Sequence, residues 1–301
     1  MAEQVLVGAK PSFAKRLTRG SIRFAQKRPL GAFGAISLLA LVLVAIFADQ
    51  IATYSPIEQY SVKYKYVSPA SPGPEGRFWM GTDKYSRDLF SRVVHGARIS
   101  LYVGIFSVAL ASSIGTLIGV FSGFVGGKAD LLLQRLVDVW IGFPQLIFTI
   151  LLVSVLGQSL NNVILAIALS SWARFSRLAR SQAISTRGMD YVTAAKAMGA
   201  TGTRQLFQHV LPNSLTPVII LATSLLGTAI VTEASLSFLG LGVPPPHPTW
   251  GRLLQEAQRA QAELTPWLSI FPGLALTFAV YGFNMFGDAL RDHLDPRLRG
   301  A

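Results

Sequence analysis

Nucleophilic, acid–base and metal chemistry need particular side chains brought within reach of one another, and this chain offers few of them. It has no cysteine, which excludes disulfides and thiolate metal sites. Its four histidines (His95, His209, His247 and His293) lie far apart in sequence, with no ligand spacing such as HxxxH, so no metal site is expected on this chain. No G-x-S-x-G or H-E-x-x-H run occurs. Gly127-Lys128 is the nearest approach to a phosphate loop. Ser122 stands where that motif needs its first glycine, and Ala129 where Ser or Thr must follow the lysine. Nucleotide binding is rejected, and no catalytic constellation emerges. The expectation is a chain that is not an enzyme and carries no cofactor of its own.

Composition points instead to a membrane. Of 301 residues, 51% are apolar and only 14% are charged, against about a quarter charged in a soluble domain. The net charge of +12 would suit nucleic acid, but the basic residues cluster at the ends of apolar stretches, as they do in cytoplasmic loops. A membrane helix needs roughly 20 mostly apolar residues. Such stretches run over residues 31–51, 99–127, 139–173, 210–241 and 264–287. The third would be about 52 Å long as one helix, against a hydrocarbon core of about 30 Å. The polar patch Gly157-Gln158-Ser159-Leu160-Asn161-Asn162 divides it into a hairpin of two. Six spans put both termini on one side. The side holding the N-terminal residues, the 123–138 and 174–204 loops and the tail carries eighteen Lys and Arg, and the other carries nine. The richer side is expected to be cytoplasmic. The long leader and the lack of an A-x-A site make the first span a retained anchor rather than a cleaved signal.

Several features inside or beside the spans stand out. Gly115, Gly119, Gly123 and Gly127 recur every four residues and would line one helix face for close packing. Glu233 lies deep in the fifth span without a basic neighbour. An intramembrane carboxylate is costly, so it either faces a translocation path or hydrogen-bonds within the bundle. Arg135 and Asp138, three apart, are expected to pair at a helix end, and Asp288 to pair with Arg291. Outside, Leu89, Phe90, Val93 and Val94 share a helical face, which fits an amphipathic surface helix or a small folded cap. The run Pro244-Pro245-Pro246-His247-Pro248-Thr249-Trp250 reads as stiff and extended, a connector or a docking surface. Trp250 and Trp267 suit interfacial anchors.

The long basic loop is the most organised polar segment. Asp190 to Ala200 reads as a short helix with Tyr191, Ala194, Ala195 and Met198 at helical spacing, stopped by Gly199 in a left-handed conformation. A second short helix is expected over about residues 203–210, with Pro212 starting the next span. Such a pair is either a rigid lever for a cytoplasmic motor or an ordinary amphipathic connector.

This loop resembles the "EAA" loop of ATP-binding-cassette importer permeases, with Ala194, Ala195, Gly199, His209, Leu211 and Pro212 in matching places and Thr193 where the family has its glutamate. Gly81-Thr82-Asp83, Arg87-Asp88, Gly96-Ala97-Arg98-Ile99-Ser100, Arg135-Leu136-Val137-Asp138, Leu236-Ser237-Phe238-Leu239-Gly240-Leu241-Gly242 and the run from Asp288 to Arg299 resemble the C-type subunits of the dipeptide/oligopeptide/nickel permeases; Ser86 replaces the usual glycine. The resemblance implies an all-α polytopic inner-membrane protein with six transmembrane helices and the type I importer fold. Its parts would be a basic cytoplasmic segment 1–30, a first helix 31–51, an external segment 52–97, a five-helix core 98–290 with a coupling loop 185–212, and a cytoplasmic tail 291–301. It also implies ATPase coupling by Asp190, Tyr191, Ala194, Ala195, Gly199, His209 and Pro212. The implied partners are a second, B-type permease subunit, two cytoplasmic ATPase subunits that hold the ATP and magnesium, an extracytoplasmic solute-binding protein, and the lipid bilayer, with no nucleic acid. Uptake of peptides is the leading expectation, with nickel, glutathione or another small solute as alternatives and an ion-coupled secondary transporter as the competing class.

Overall fold

The computed structural model describes residues 29–260 and 264–294. The basic leader 1–28 and residues 295–301, with Arg297 and Arg299, lie outside the described residues. Helix α1 (Pro29–Ile46) and the short α2 (Ala48–Ile51) lead to an outer cap, followed by α3 (Leu89–Val125), α4 (Gly127–Gly142), α5 (Gln145–Leu156) and α6 (Leu160–Arg187). Next come α7 (Asp190–Ala197), α8 (Gly202–Gln205), α9 (Leu211–Phe238), α10 (Trp250–Gln258) and α11 (Trp267–Leu294).

Four of these stretches are long and apolar enough to cross a membrane: Pro29–Ile46, Leu89–Val125, Gly202–Phe238 and Trp267–His293. The pair α4 and α5, bent by 94°, makes up to five. The sixth expected span, α6, falls outside that count by composition. The 28-residue α6 is apolar only to Ala173, after which Arg174, Arg177 and Arg180 follow. It packs along α3, with Val163, Ala166, Ile167, Ala168, Trp172 and Ala173 buried, so its composition answers in part to burial in the bundle.

Local chemistry sets the breaks. Pro144 forces Phe143 out of helical geometry (φ −80°, ψ 136°), so the helix before the hairpin is only 12 residues long. The hairpin falls at Gly157 (φ 84°). Ser159 caps α6 by accepting from the Asn162 N–H at 3.1 Å, and the Asn162 amide donates to the Leu156 and Gly157 carbonyls at 2.7 and 3.1 Å. One orphan N–H of α6 and two carbonyls at the end of α5 are thereby satisfied.

Helix α3 starts at Leu89, ten residues before the apolar run suggested. Asp88 caps it by accepting from the Ser91 N–H at 2.8 Å, and Leu89, Val93 and Ala97 are buried with Trp250, Leu253 and Leu268. The amphipathic stretch is therefore the first turns of a spanning helix, not a separate surface helix. Trp250 is 1% exposed and donates to the Val93 carbonyl at 3.0 Å. It is a core residue, and Trp267 is half-buried against Gly81. Trp250 is therefore not an interfacial anchor, because α3 and the residues clustered with it enclose the ring. In that cap, strands β1 (Ser71–Pro72) and β2 (Arg77–Phe78) pair antiparallel, and Tyr54, Tyr60 and Tyr64 surround the fully buried Phe78.

Candidate functional site

The segment 190–212 stands at the end of the bundle where α3 stops and α6 ends. Asp190 opens α7 in its first turn, where a carboxylate suits the helix dipole. Val192 and Ala195 point inward, at 2% and 7% exposure. Tyr191, Ala194 and Met198 share the outward face. Ala195 is thus an anchor of the helix and not part of its exposed surface, a correction to the four-residue face read from spacing. Thr193 is exposed and its hydroxyl turns back to the Met189 carbonyl at 3.3 Å, so it presents no group outward in the manner of a glutamate.

Gly199 ends the helix with φ +88°. Its N–H donates to the Lys196 carbonyl and that of Ala200 to the Ala195 carbonyl, both at 3.0 Å, the paired bonds of a Schellman stop. The Gln205 amide takes up the Ala200 carbonyl at 2.7 Å. The following helix is not a separate piece. Thr201 caps α8, a π turn spans Leu206–Val210, and α9 continues directly. Pro212 lies two residues past that turn, at the first positions of α9 as expected, though α9 follows the π turn without a break. The wide turn absorbs its missing N–H, and the Asn213 amide takes the His209 carbonyl at 2.6 Å. The ring of His209 meets Tyr191 edge-on at 6.2 Å. Asp190, Tyr191, Ala194, Gly199 and Pro212 are exposed at one corner, with His209 half-buried beside them and Ala195 rooted beneath, and the corner is continuous with α9 through His209 and Pro212.

That corner is rooted in the bundle by charges that spacing did not reveal. Arg187 donates to the Phe124 carbonyl at 2.7 Å. Arg180 grips Asp130 with two bonds of 2.6 Å, and Ser122 bonds the same carboxylate. Asp138 pairs with Arg177 at 2.7 Å and not with Arg135, since it faces α6 across the bend. Below these clamps the glycine ladder brings α3 onto α6. A Cβ at Gly115, Gly119 or Gly123 would lie 2.3, 2.2 or 2.6 Å from the carbonyl oxygen of Trp172, Ser176 or Arg180. Gly127 does not belong to that ladder. It lies beyond the end of α3 with φ +62° and nothing within 4 Å of a Cβ, so it serves the turn into α4.

Glu233 is about 32 Å along α9 from Pro212 and is fully buried. Its carboxylate accepts from Ser237 at 2.7 Å and Ser100 at 3.1 Å, and the Thr249 side chain reaches it too. It joins α9, α3 and the cap of α10 inside the chain, with no exposed surface of its own. The path role is set aside, because hydroxyls from three elements enclose the group.

A second buried cluster lies above it. Asp83 accepts from Arg87 Nε at 2.7 Å and Arg92 at 2.5 Å; Glu256 accepts from the same two arginines at 2.8 and 2.6 Å. Burial pushes the Glu256 carboxyl up, but the Arg92 hydrogen bond and the charges of Arg92, Arg87 and Arg252 outweigh it and hold the group below the ordinary glutamate range. The i,i+4 spacing of Asp83 and Arg87 was a local signal; Glu256, 164 residues beyond Arg92, gave none. Ser86, in the turn between Asp83 and Arg87, has φ +60°, which accounts for a glycine being the usual residue in the motif it resembles. Among the described residues, no three His, Asp or Glu side chains gather for a metal ion.

The chain was compared with known proteins. Residues 115–300 match the family described as binding-protein-dependent transport system inner membrane component. A dipeptide transport system permease protein of Alkalihalophilus pseudofirmus is 41% identical over 283 residues, covering 93% of this chain and 90% of the relative. A glutathione transport system permease protein of Pectobacterium atrosepticum is 38% identical over 277 residues, covering 92% and 90%. A di/tripeptide transport system permease protein of Pseudomonas aeruginosa is 40% identical over 270 residues, covering 89% and 88%. Among solved structures, an inward-facing MetNI methionine ABC transporter chain superposes with a TM-score of 0.56 at 18% identity, covering 68% of this chain and 96% of that one. That likeness carries the fold alone.

Proposed function

The chain belongs to the family of binding-protein-dependent transport system inner membrane components, and on that footing we propose that it forms half of the membrane path of an ABC importer for short peptides. It is a multi-pass membrane permease. The substrate class rests on relatives named for dipeptide, di/tripeptide and glutathione transport. Glutathione, itself a tripeptide, falls within it.

The observation that carries the mechanism is the exposed corner at 190–212. It is stiff, being capped, stopped and hydrogen-bonded at each end. It is also continuous with α9, which crosses toward Glu233. We assign it the cytoplasmic side, with both termini, from the basic-residue excess. A cytoplasmic ATPase gripping Tyr191, Ala194 and Met198 would move α9 as a body, because the π turn transmits the displacement without a hinge loop. Closure of two ATPases on ATP, felt by this chain and by a partner permease, would switch the path from inward- to outward-open while a binding protein releases peptide from outside. ATP and magnesium sit on the ATPases. Thr193 bonds its own backbone, so shape and small-residue contact hold the motor in place of an ion pair there.

The test is Ala194→Trp and Met198→Asp in the complete transporter. Co-purification of the ATPase should fall while the permease still inserts. Peptide uptake should stop on ATP depletion and survive collapse of ion gradients. An ATPase that stays bound to both variants, or uptake driven by a gradient without ATP, would remove the reading.

A further inference from the structure

The outer cap carries a lysine–tyrosine ladder that the transport cycle above leaves unused. Segments 64–67 and 82–85 lie side by side, since the Tyr66 N–H donates to the Asp83 carbonyl at 3.3 Å and the Thr82 N–H to the Val67 carbonyl at 3.2 Å. Along them each lysine stands over the ring of the next residue: Lys63 Nζ is 4.7 Å from the Tyr64 centroid, Lys65 5.6 Å from Tyr66 and Lys84 4.6 Å from Tyr85. Arg87 takes a position 4.7 Å from Tyr85 as well. Beside the ladder Val62 is 82% exposed. The exposed acids of the cap, Glu58 and Glu75, do not match the cations Lys63, Lys65, Arg77 and Lys84 in number.

Two further facts bear on its use. Lysines on the outer side act against correct insertion, and Lys63 and Lys65 fall within about 15 residues of the end of α2, the range over which that bias operates. The ladder is also rigidly mounted. Lys84 is bonded in sequence to Asp83, whose buried carboxylate is held by Arg87 and Arg92 and through them by Glu256 of α10. A surface fixed in this way loses little entropy when something docks on it. The stretch of α3 between Leu89 and Arg98 lifts the cap by about 14 Å above the level where Arg98 bonds the Ala45 and Ile46 carbonyls at the outer end of α1. That height suits a soluble protein better than lipid headgroups.

We propose that the ladder Lys63-Tyr64-Lys65-Tyr66 with Lys84-Tyr85 is a docking surface for an acidic face of the soluble solute-binding protein. The proposal rests on the importer reading above. The test uses the complete transporter in vesicles with its peptide-binding protein, and the permease variants Lys63→Gln/Lys65→Gln/Lys84→Gln and the corresponding triple Glu change. Association of the binding protein should slow about tenfold in the Gln variant at low salt and further in the Glu variant. The difference should shrink near 0.5 M salt, where screening shortens to a few Å, roughly. ATP hydrolysis without the binding protein should be unchanged, which shows that the complex is intact. Wild-type association in both variants would overturn the inference. So would a defect seen only in vesicles of anionic phospholipid and absent in neutral ones, which would make lipid headgroups the occupant. If the peptide-binding protein fails to stimulate the wild-type transporter, the importer reading itself falls, and this inference with it.

Discussion

Replacing Gly199 tests whether the stop between α7 and α8 is what holds the corner rigid. Its φ of +88° suits glycine, while a Cβ built there meets nothing within 4 Å. Any cost of substitution therefore comes from the backbone alone. The left-handed conformation costs an L-residue about 1–2 kcal/mol, and the entropy that alanine removes from the unfolded chain returns about 0.4–1 kcal/mol. Gly199→Ala should weaken the Schellman stop by about 1 kcal/mol, roughly a fivefold change in local opening. Asn tolerates this conformation and should lie close to wild type. Val, a β-branched residue for which it is a genuine outlier, should be the worst of the three. Hydrogen exchange of the 190–200 amides in the purified transporter should quicken in the order Gly, Asn, Ala, Val, and ATPase-coupled uptake should fall in the same order with insertion intact. Equal exchange in all four, or an Asn variant as poor as Ala, would refute the backbone argument.

Other outcomes follow from the same geometry. Gly119→Ala drives a Cβ to 2.2 Å from the Ser176 carbonyl and should destabilise the α3–α6 contact by about 1–3 kcal/mol, read as a lower melting temperature of the detergent-solubilised protein, whereas Gly127→Ala should lose only the backbone term. Ser86→Gly relieves φ +60° and should stabilise the cap by about 0.5–1 kcal/mol net of added chain entropy, measured as a raised unfolding midpoint. Glu256 has a folded-state pKa below its unfolded value, so its contribution is full above the ordinary glutamate range and is lost as pH falls below that range through the folded pKa; protease resistance of the cap should drop there in wild type and drop less, from a lower starting point, in Glu256→Gln. Changing Asp130→Asn and Arg180→Gln singly and together should show a coupling of about 1–2 kcal/mol in thermal unfolding, and additive effects would mean that the clamp is not a clamp.

Much of this molecule was written locally. Apolar run lengths located the spans, since hydrocarbon tolerates only long, charge-poor helices. Gly157 and Asn162 carried the hairpin, and Gly199 the stop of α7, because caps and left-handed turns depend on a few neighbouring residues. The lysine and arginine distribution is likewise a local signal, and the proposed orientation rests on it alone. Tertiary structure decided what local pattern cannot hold. Whether α6 meets lipid or protein depends on α3 lying along it, which the glycines permit but do not announce. Pro144 lay within the uncharged run, yet the 94° bend it starts depends on which helices then embrace each arm. Asp138 found Arg177 across helices in place of Arg135 along its own, and Glu233 found, besides Ser237 one turn along its own helix, the hydroxyls of Ser100 and Thr249 from distant segments. Asp83, Arg87, Arg92 and Glu256 became one cluster only when α10 folded back beside the start of α3. Charges buried in low dielectric must find partners wherever the chain brings them, and sequence spacing carries that information only when both partners share a helix.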